Sequence, residues 1–235
     1  MINGCKILAL LGLLSAVAST GFAADLVPDA NQAALAWDFA PMYDVKENSA
    51  IRIQTLKHVL GSGVMLRIAG LPRCAAITSH VVTSGDQQIA VGERLGTWHV
   101  GTLVRADEQR QVDVYAIEDL AGDSEKCPII QISQKPPALT TLILGMGYPL
   151  ADPENPRILF GTVEMLGVPP RWSTGGDKSR TVGMNWMHAR SIDLGGGVFN
   201  SRGELVGILN ATIPSGGASV MELSTTVQAA LDAAH

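Results

Sequence analysis

The sequence predicts an all-β protein built as two six-stranded units, barrels or sandwiches, closed by a short C-terminal helix. Three observations predict it. From Ala50 onward, short apolar segments alternate with Gly, Pro, Asp and Ser. Those segments fall into two sets of six on either side of a polar connector. At the C-terminus, Val227, Ala230, Leu231 and Ala234 recur at helical spacing, and Thr225 with Gln228 forms a capping box.

Taken in order, the expected strands of the first unit are Ala50–Val59, Gly63–Ile68, Cys74–Thr78, Gln88–Gly92, Trp98–Arg105 and Val112–Glu118. The connector is Ala121–Pro137. The second set runs Leu139–Gly145, Ile158–Leu166, Thr181–Met187, Gly197–Asn200, Leu205–Leu209 and Ser219–Leu223. Two long polar loops, Pro149–Arg157 and Pro169–Arg180, interrupt the second set. Ala33–Phe39 reads as one or two amphipathic turns. As domains, this gives residues 50–120 for the first unit, 121–138 for the connector, and 139–235 for the second unit with its helix. Residues 24–49 form an N-terminal extension.

The chain has 235 residues, 46% of them hydrophobic and 17% charged, enough apolar material to offset chain entropy and exclude disorder. Its 17 basic and 22 acidic residues give a formal charge of −5. With no basic stripe, nucleic-acid binding is excluded. Glycine and proline are spread along the chain, which excludes collagen-like and low-complexity classes.

Residues 1–23 read as a secretory signal peptide. Lys6 precedes the apolar run Ile7–Ala18, and Gly21 and Ala23 place small residues before a cut after Ala23. The run is too short to span a membrane, so an exported protein, periplasmic or secreted, without membrane insertion is expected. Cys5 leaves with the signal. Cys74 and Cys127 remain, a candidate disulfide in an oxidising compartment, or else two buried thiols. No Cys-x-x-Cys or His-Glu-x-x-His occurs, so no metal and no cofactor is expected.

Four stretches carry the chemistry. They are Gly61-Ser62-Gly63-Val64, Ile77-Thr78-Ser79-His80-Val81-Val82, Asp113-Val114-Tyr115-Ala116-Ile117, and Asp193-Leu194-Gly195-Gly196-Gly197 running on to Gly203-Glu204-Leu205-Val206-Gly207-Ile208. In this order the chain resembles the trypsin-like (chymotrypsin-fold) serine proteases, nearest the bacterial exported HtrA/DegP-type protease domain. Gly147-Tyr148-Pro149 resembles a turn of the same family. The resemblance implies two packed six-stranded antiparallel β-barrels with a site in the cleft between them.

It also implies roles. His80 takes the general-base position and Asp113 the position of the carboxylate that orients it. The nucleophile position is held by Leu194, whose side chain offers neither a lone pair nor an ionisable proton. The glycine that donates one oxyanion N–H is replaced by Ile192, whose β-branch resists the backbone shape a glycine supplies. Ser191 lies up to roughly 10 Å of extended chain away, and Ser201 falls in a turn. Asp193 is expected to pair with Arg190 or to accept local backbone N–H groups. His188 is a candidate for the specificity pocket, with Arg190 nearby, or a strand residue packed beside Trp186. His58 and His99 read as ordinary strand residues, and Trp37, Trp98, Trp172 and Trp186 as packing residues.

The expectation is therefore an exported pseudoprotease that binds a peptide or partner protein in its cleft. The alternatives are a hydrolase with an unrecognised nucleophile and a purely structural envelope protein. A PDZ domain of the HtrA kind is not expected after the terminal helix.

Overall fold

The computed structural model describes residues 49–67, 74–94, 96–120, 127–148, 155–166, 181–185, 189–212 and 219–232. The expected signal peptide, Ala33–Phe39, His188, Trp37, Trp172, Trp186 and the loop Pro169–Arg180 lie outside them.

The fold is all-β and consists of two closed six-stranded antiparallel barrels. The first holds β1 (Ala50–Thr55), β2 (Leu60–Arg67), β3 (Cys74–Ser79), β4 (Gln88–Gly92), β5 (Trp98–Asp107) and β6 (Val112–Ile117). They close in the order β1-β2-β3-β6-β5-β4. The second holds β7 (Leu142–Gly147), β8 (Arg157–Leu166), β9 (Thr181–Asn185), β10 (Gly197–Phe199), β11 (Leu205–Thr212) and β12 (Ser219–Leu223), in the order β10-β11-β12-β9-β8-β7. Closure leaves no strand edge exposed, which short twisted strands of this kind otherwise present to solvent. One-turn helix α1 (His80–Thr83) follows β3, and α2 (Ser224–Asp232) follows β12.

Three apolar clusters explain the stacking. Ile51, Ile53, Met65, Val91, Tyr115 and Ile117 fill the first barrel. Ile143, Leu159, Val163, Val198, Val206 and Leu209 fill the second. The largest cluster lies between the barrels, where Val64, Ile77 and Val114 meet Met146, Tyr148, Phe199, Val227 and Leu231. Strands β2 and β3 are therefore buried on both faces, which is why Cys74–Ser79 reads as an unbroken buried run rather than as an alternation.

Several boundaries move. The first strand ends at Thr55 because Thr55 Oγ1 accepts the Val59 N–H at 3.2 Å and closes a turn. His58 sits in that turn with φ 61°, not in a strand. β2 starts at Leu60, and β7 starts at Leu142 after a turn with Thr140 at φ 62°. Glu118 belongs to a 3-10 turn, Glu118–Leu120. Helix α2 begins at Ser224, one residue before Thr225.

Cys74 and Cys127 form a disulfide with their Cα atoms 5.6 Å apart. It fastens the connector to β3. Further along, the Ser133 N–H donates to the Leu205 carbonyl and the Leu205 N–H to Gln131, so the connector then runs against β11. No helix among the described residues is long and apolar enough to cross a membrane.

Candidate active site

His80 is fixed from both sides by its backbone. Ser79 leaves β3 in extended conformation, and its Oγ accepts the Val81 N–H, capping α1. The same hydroxyl donates to Asn210 Oδ1 on β11 at 2.5 Å. The His80 N–H donates to the Gln111 carbonyl at 3.0 Å. Its carbonyl accepts from Ser84, which takes the left-handed conformation that ends the turn.

Asp113 arrives by strand register. Thr78 on β3 pairs with Asp113 on β6, so the carboxylate lies one strand across from the residue that follows β3. Asp113 is fully buried, and its Oδ1 stands 2.8 Å from His80 Nδ1. Thr83 Oγ1 donates to Oδ2 at 2.5 Å and the Gly85 N–H at 3.1 Å. A carboxylate only accepts, so Nδ1 carries the hydrogen and Nε2 of neutral His80 carries the lone pair. Among the described residues no hydroxyl or thiol hydrogen-bonds to that Nε2.

A 3-10 turn, Ser191–Asp193, leads into β10 of the second barrel. The Leu194 N–H donates to the Ser191 carbonyl at 3.3 Å, and the Asp193 N–H donates to Arg190 at 2.9 Å. The Leu194 side chain packs against the first barrel's apolar cluster, which includes Val82. Ser62 clamps this turn. Its N–H donates to the Leu194 carbonyl and its Oγ to the Ile192 carbonyl, both at 2.8 Å. Its Oγ also accepts the Tyr148 N–H at 2.9 Å. Gly195 completes the turn at φ 87°, where a Cβ would run into the Ser62 carbonyl and Thr78 Oγ1.

Residues 61–208, more than half of the chain, match the family model of the trypsin-like peptidase domain. The chain belongs to the trypsin-like peptidase family. Among solved structures, this trypsin-like chain is similar to a serine endoprotease from Yersinia pestis, with TM-score 0.67 and 18% identity, covering 83% of this chain and 66% of that one. It is also similar to the Rv3671c protease in an inactive form, with TM-score 0.67 and 17% identity, covering 84% and 94%. A serine-to-alanine mutant of Rv3671c from M. tuberculosis H37Rv gives TM-score 0.65 at 17% identity, covering 84% and 92%. At these identities the likeness is one of fold. No curated protein sequence matches the chain.

The trypsin-like fold thus brings His80 and Asp113 together and sets Ile192 and Leu194 on one turn. Ser191 is exposed at the start of that turn, and Ser201 is exposed in the hairpin between β10 and β11. Asp193 accepts the Arg190 N–H at 2.7 Å, as the sequence suggested, but its cation is Arg157 at the start of β8, 3.1 Å away. Its Oδ1 is buried without a partner. Burial pushes the Asp193 carboxyl up, against the opposing pull of the Arg190 N–H and of the Arg157 and Arg190 charges.

Sequence reasoning missed Thr83, Gly85, Gln111, Asn210 and Arg157. Thr83 and Gly85 carried a local signal, three and five residues beyond His80 on the same turn. The others reach the site through long-range pairing. Among the described residues no group of His, Cys, Asp and Glu is placed to hold a metal ion.

Proposed function

We propose that this chain is an exported trypsin-like pseudoprotease that binds a peptide or partner protein in its cleft and does not cleave it. The observation that carries the reading is Leu194, at the position the family motif gives to its nucleophile. It contributes no nucleophilic atom, and its N–H, an expected oxyanion donor, is spent on the Ser191 carbonyl. Acyl transfer needs an attacking oxygen and donors aimed at the developing oxyanion. Leu194 supplies no such oxygen, and one of the two expected donors is spent within its own turn. What persists is the held His80–Asp113 pair, which leaves Nε2 as the acceptor.

The test is a fluorophosphonate probe followed by intact mass. The native chain stays unlabelled, and the Leu194→Ser, Ile192→Gly double variant is labelled at position 194. Labelling of the native chain overturns the reading. Binding is tested by calorimetry with an extended-peptide library, where heat from any member supports the cleft role and silence from all of them sinks it.

The intact dyad favours a second reading, residual hydrolysis with His80 activating water. It requires ester turnover that disappears in His80→Ala.

A further inference from the structure

His99 lies on β5, as the sequence predicts, but its surroundings are not those of an ordinary strand residue. It is 8% exposed. Its Nδ1 lies 2.5 Å from Asp119 Oδ2, and its Nε2 lies 3.0 Å from Glu93 Oε1. Glu93 stands at the end of the β4–β5 hairpin, and Asp119 belongs to the 3-10 turn Glu118–Leu120 that follows β6. One imidazole therefore joins two separate elements at one end of the first barrel.

The donor count decides what holds it. Neutral imidazole has one N–H and one lone pair, whereas ionised carboxylates only accept. With one ring proton, one of the two contacts would set a nitrogen lone pair against a carboxylate oxygen. Both contacts are satisfied when both ring nitrogens carry hydrogen. The charge balance fits, because Glu93 and Asp119 flank the ring and Glu118 lines the same cavity of about 310 Å³, beside Trp98, Val100 and Thr102. Arg52 on β1 donates to the backbone carbonyl of Glu93 at 3.1 Å and stacks on the Trp98 ring, which leaves the Glu93 carboxylate for His99.

We propose that His99 is a proton-held clasp between the β4–β5 hairpin and the Glu118–Leu120 turn, a pH-sensitive device independent of the cleft. Acid closes it. As the pH rises and the second ring proton leaves, one carboxylate loses its donor. Asp119 is the end that lets go, because its side chain is half exposed and water replaces the lost bond, whereas Glu93 is more covered. Release of Asp119 frees the turn and opens the cavity that the clasp walls.

The experiment is ¹⁵N nuclear magnetic resonance of the purified chain across pH 5–9, together with amide hydrogen-exchange protection factors. The expected result is two protonated ring nitrogens for His99 at low pH and one at high pH. Over the same interval the protection of the Asp119 and Leu120 amides falls about tenfold, the scale of one charge-assisted hydrogen bond. Asp119→Asn is the second variant. Its amide donates to a neutral ring nitrogen, so the fold is kept and protection no longer follows pH. A His99 with a single ring proton throughout overturns the proposal. So does unchanged protection in the native chain, or an Asp119→Asn chain that keeps the same pH response.

Discussion

Asp193 shows how one residue sets the behaviour of the turn that carries Leu194. Its carboxyl is fully buried, has one oxygen without a partner, and is pushed above the usual carboxylate range chiefly by that burial. A carboxyl raised by folding binds its proton more tightly in the folded chain, so it favours folding at low pH. That contribution is lost as the pH rises through the raised value. Asparagine has no such titration. The stability of Asp193→Asn relative to the native chain should therefore rise between pH 4 and pH 7, as urea unfolding will show. Arg157→Ala should act in the opposite sense. At neutral pH it leaves a buried carboxylate without its cation and costs about 3 kcal/mol, a loss that shrinks in acid as Asp193 takes up a proton.

At the scale of elements, the site is held by strand ends meeting across the two barrels. Ser62 on β2, Thr78 on β3 and the turn before β10 share one knot, in which Thr78 Oγ1 donates to the Ser62 carbonyl at 2.7 Å. Gly195 fits that knot only because it lacks a Cβ. Gly195→Ala adds left-handed strain to a collision with backbone and should cost about 3 kcal/mol or more. Urea unfolding reads that loss. Circular dichroism at low denaturant should still show a β-fold, because both barrels close without this residue.

For the whole molecule, the largest apolar cluster belongs to neither barrel alone. Separating the barrels would expose Ile77, Met146, Tyr148 and Phe199 together, at about 1.5–3 kcal/mol for each large side chain. The two barrels should therefore unfold in one calorimetric transition with equal calorimetric and van't Hoff enthalpies. The Cys74–Cys127 bond closes a separation of 53 residues. Replacing both cysteines with serine should lower stability by about 2–4 kcal/mol, seen as a lower denaturant midpoint, while the single transition is kept.

Much was legible along the chain because strands and motifs are local. Short apolar segments between Gly, Pro, Asp and Ser breaks marked all twelve strands, and Thr-Ser-His beside a later Asp-Val-Tyr marked the residues that register brings together. The sequence by itself determined the all-β class, the two six-strand sets, and the side chain at position 194, since none of these depends on a distant partner. Turn ends were less legible, because Thr55 acts through a hydrogen bond to the Val59 N–H that propensity does not encode. Only the tertiary structure decided that Arg157, from the start of β8, forms an ion pair with the Asp193 carboxylate. It also decided that Ser191 takes the Leu194 N–H, and that His99 meets two carboxylates. Each of these joins elements far apart in the chain or depends on which way a peptide faces within a turn. Burial and barrel closure settle both, and residue order does not.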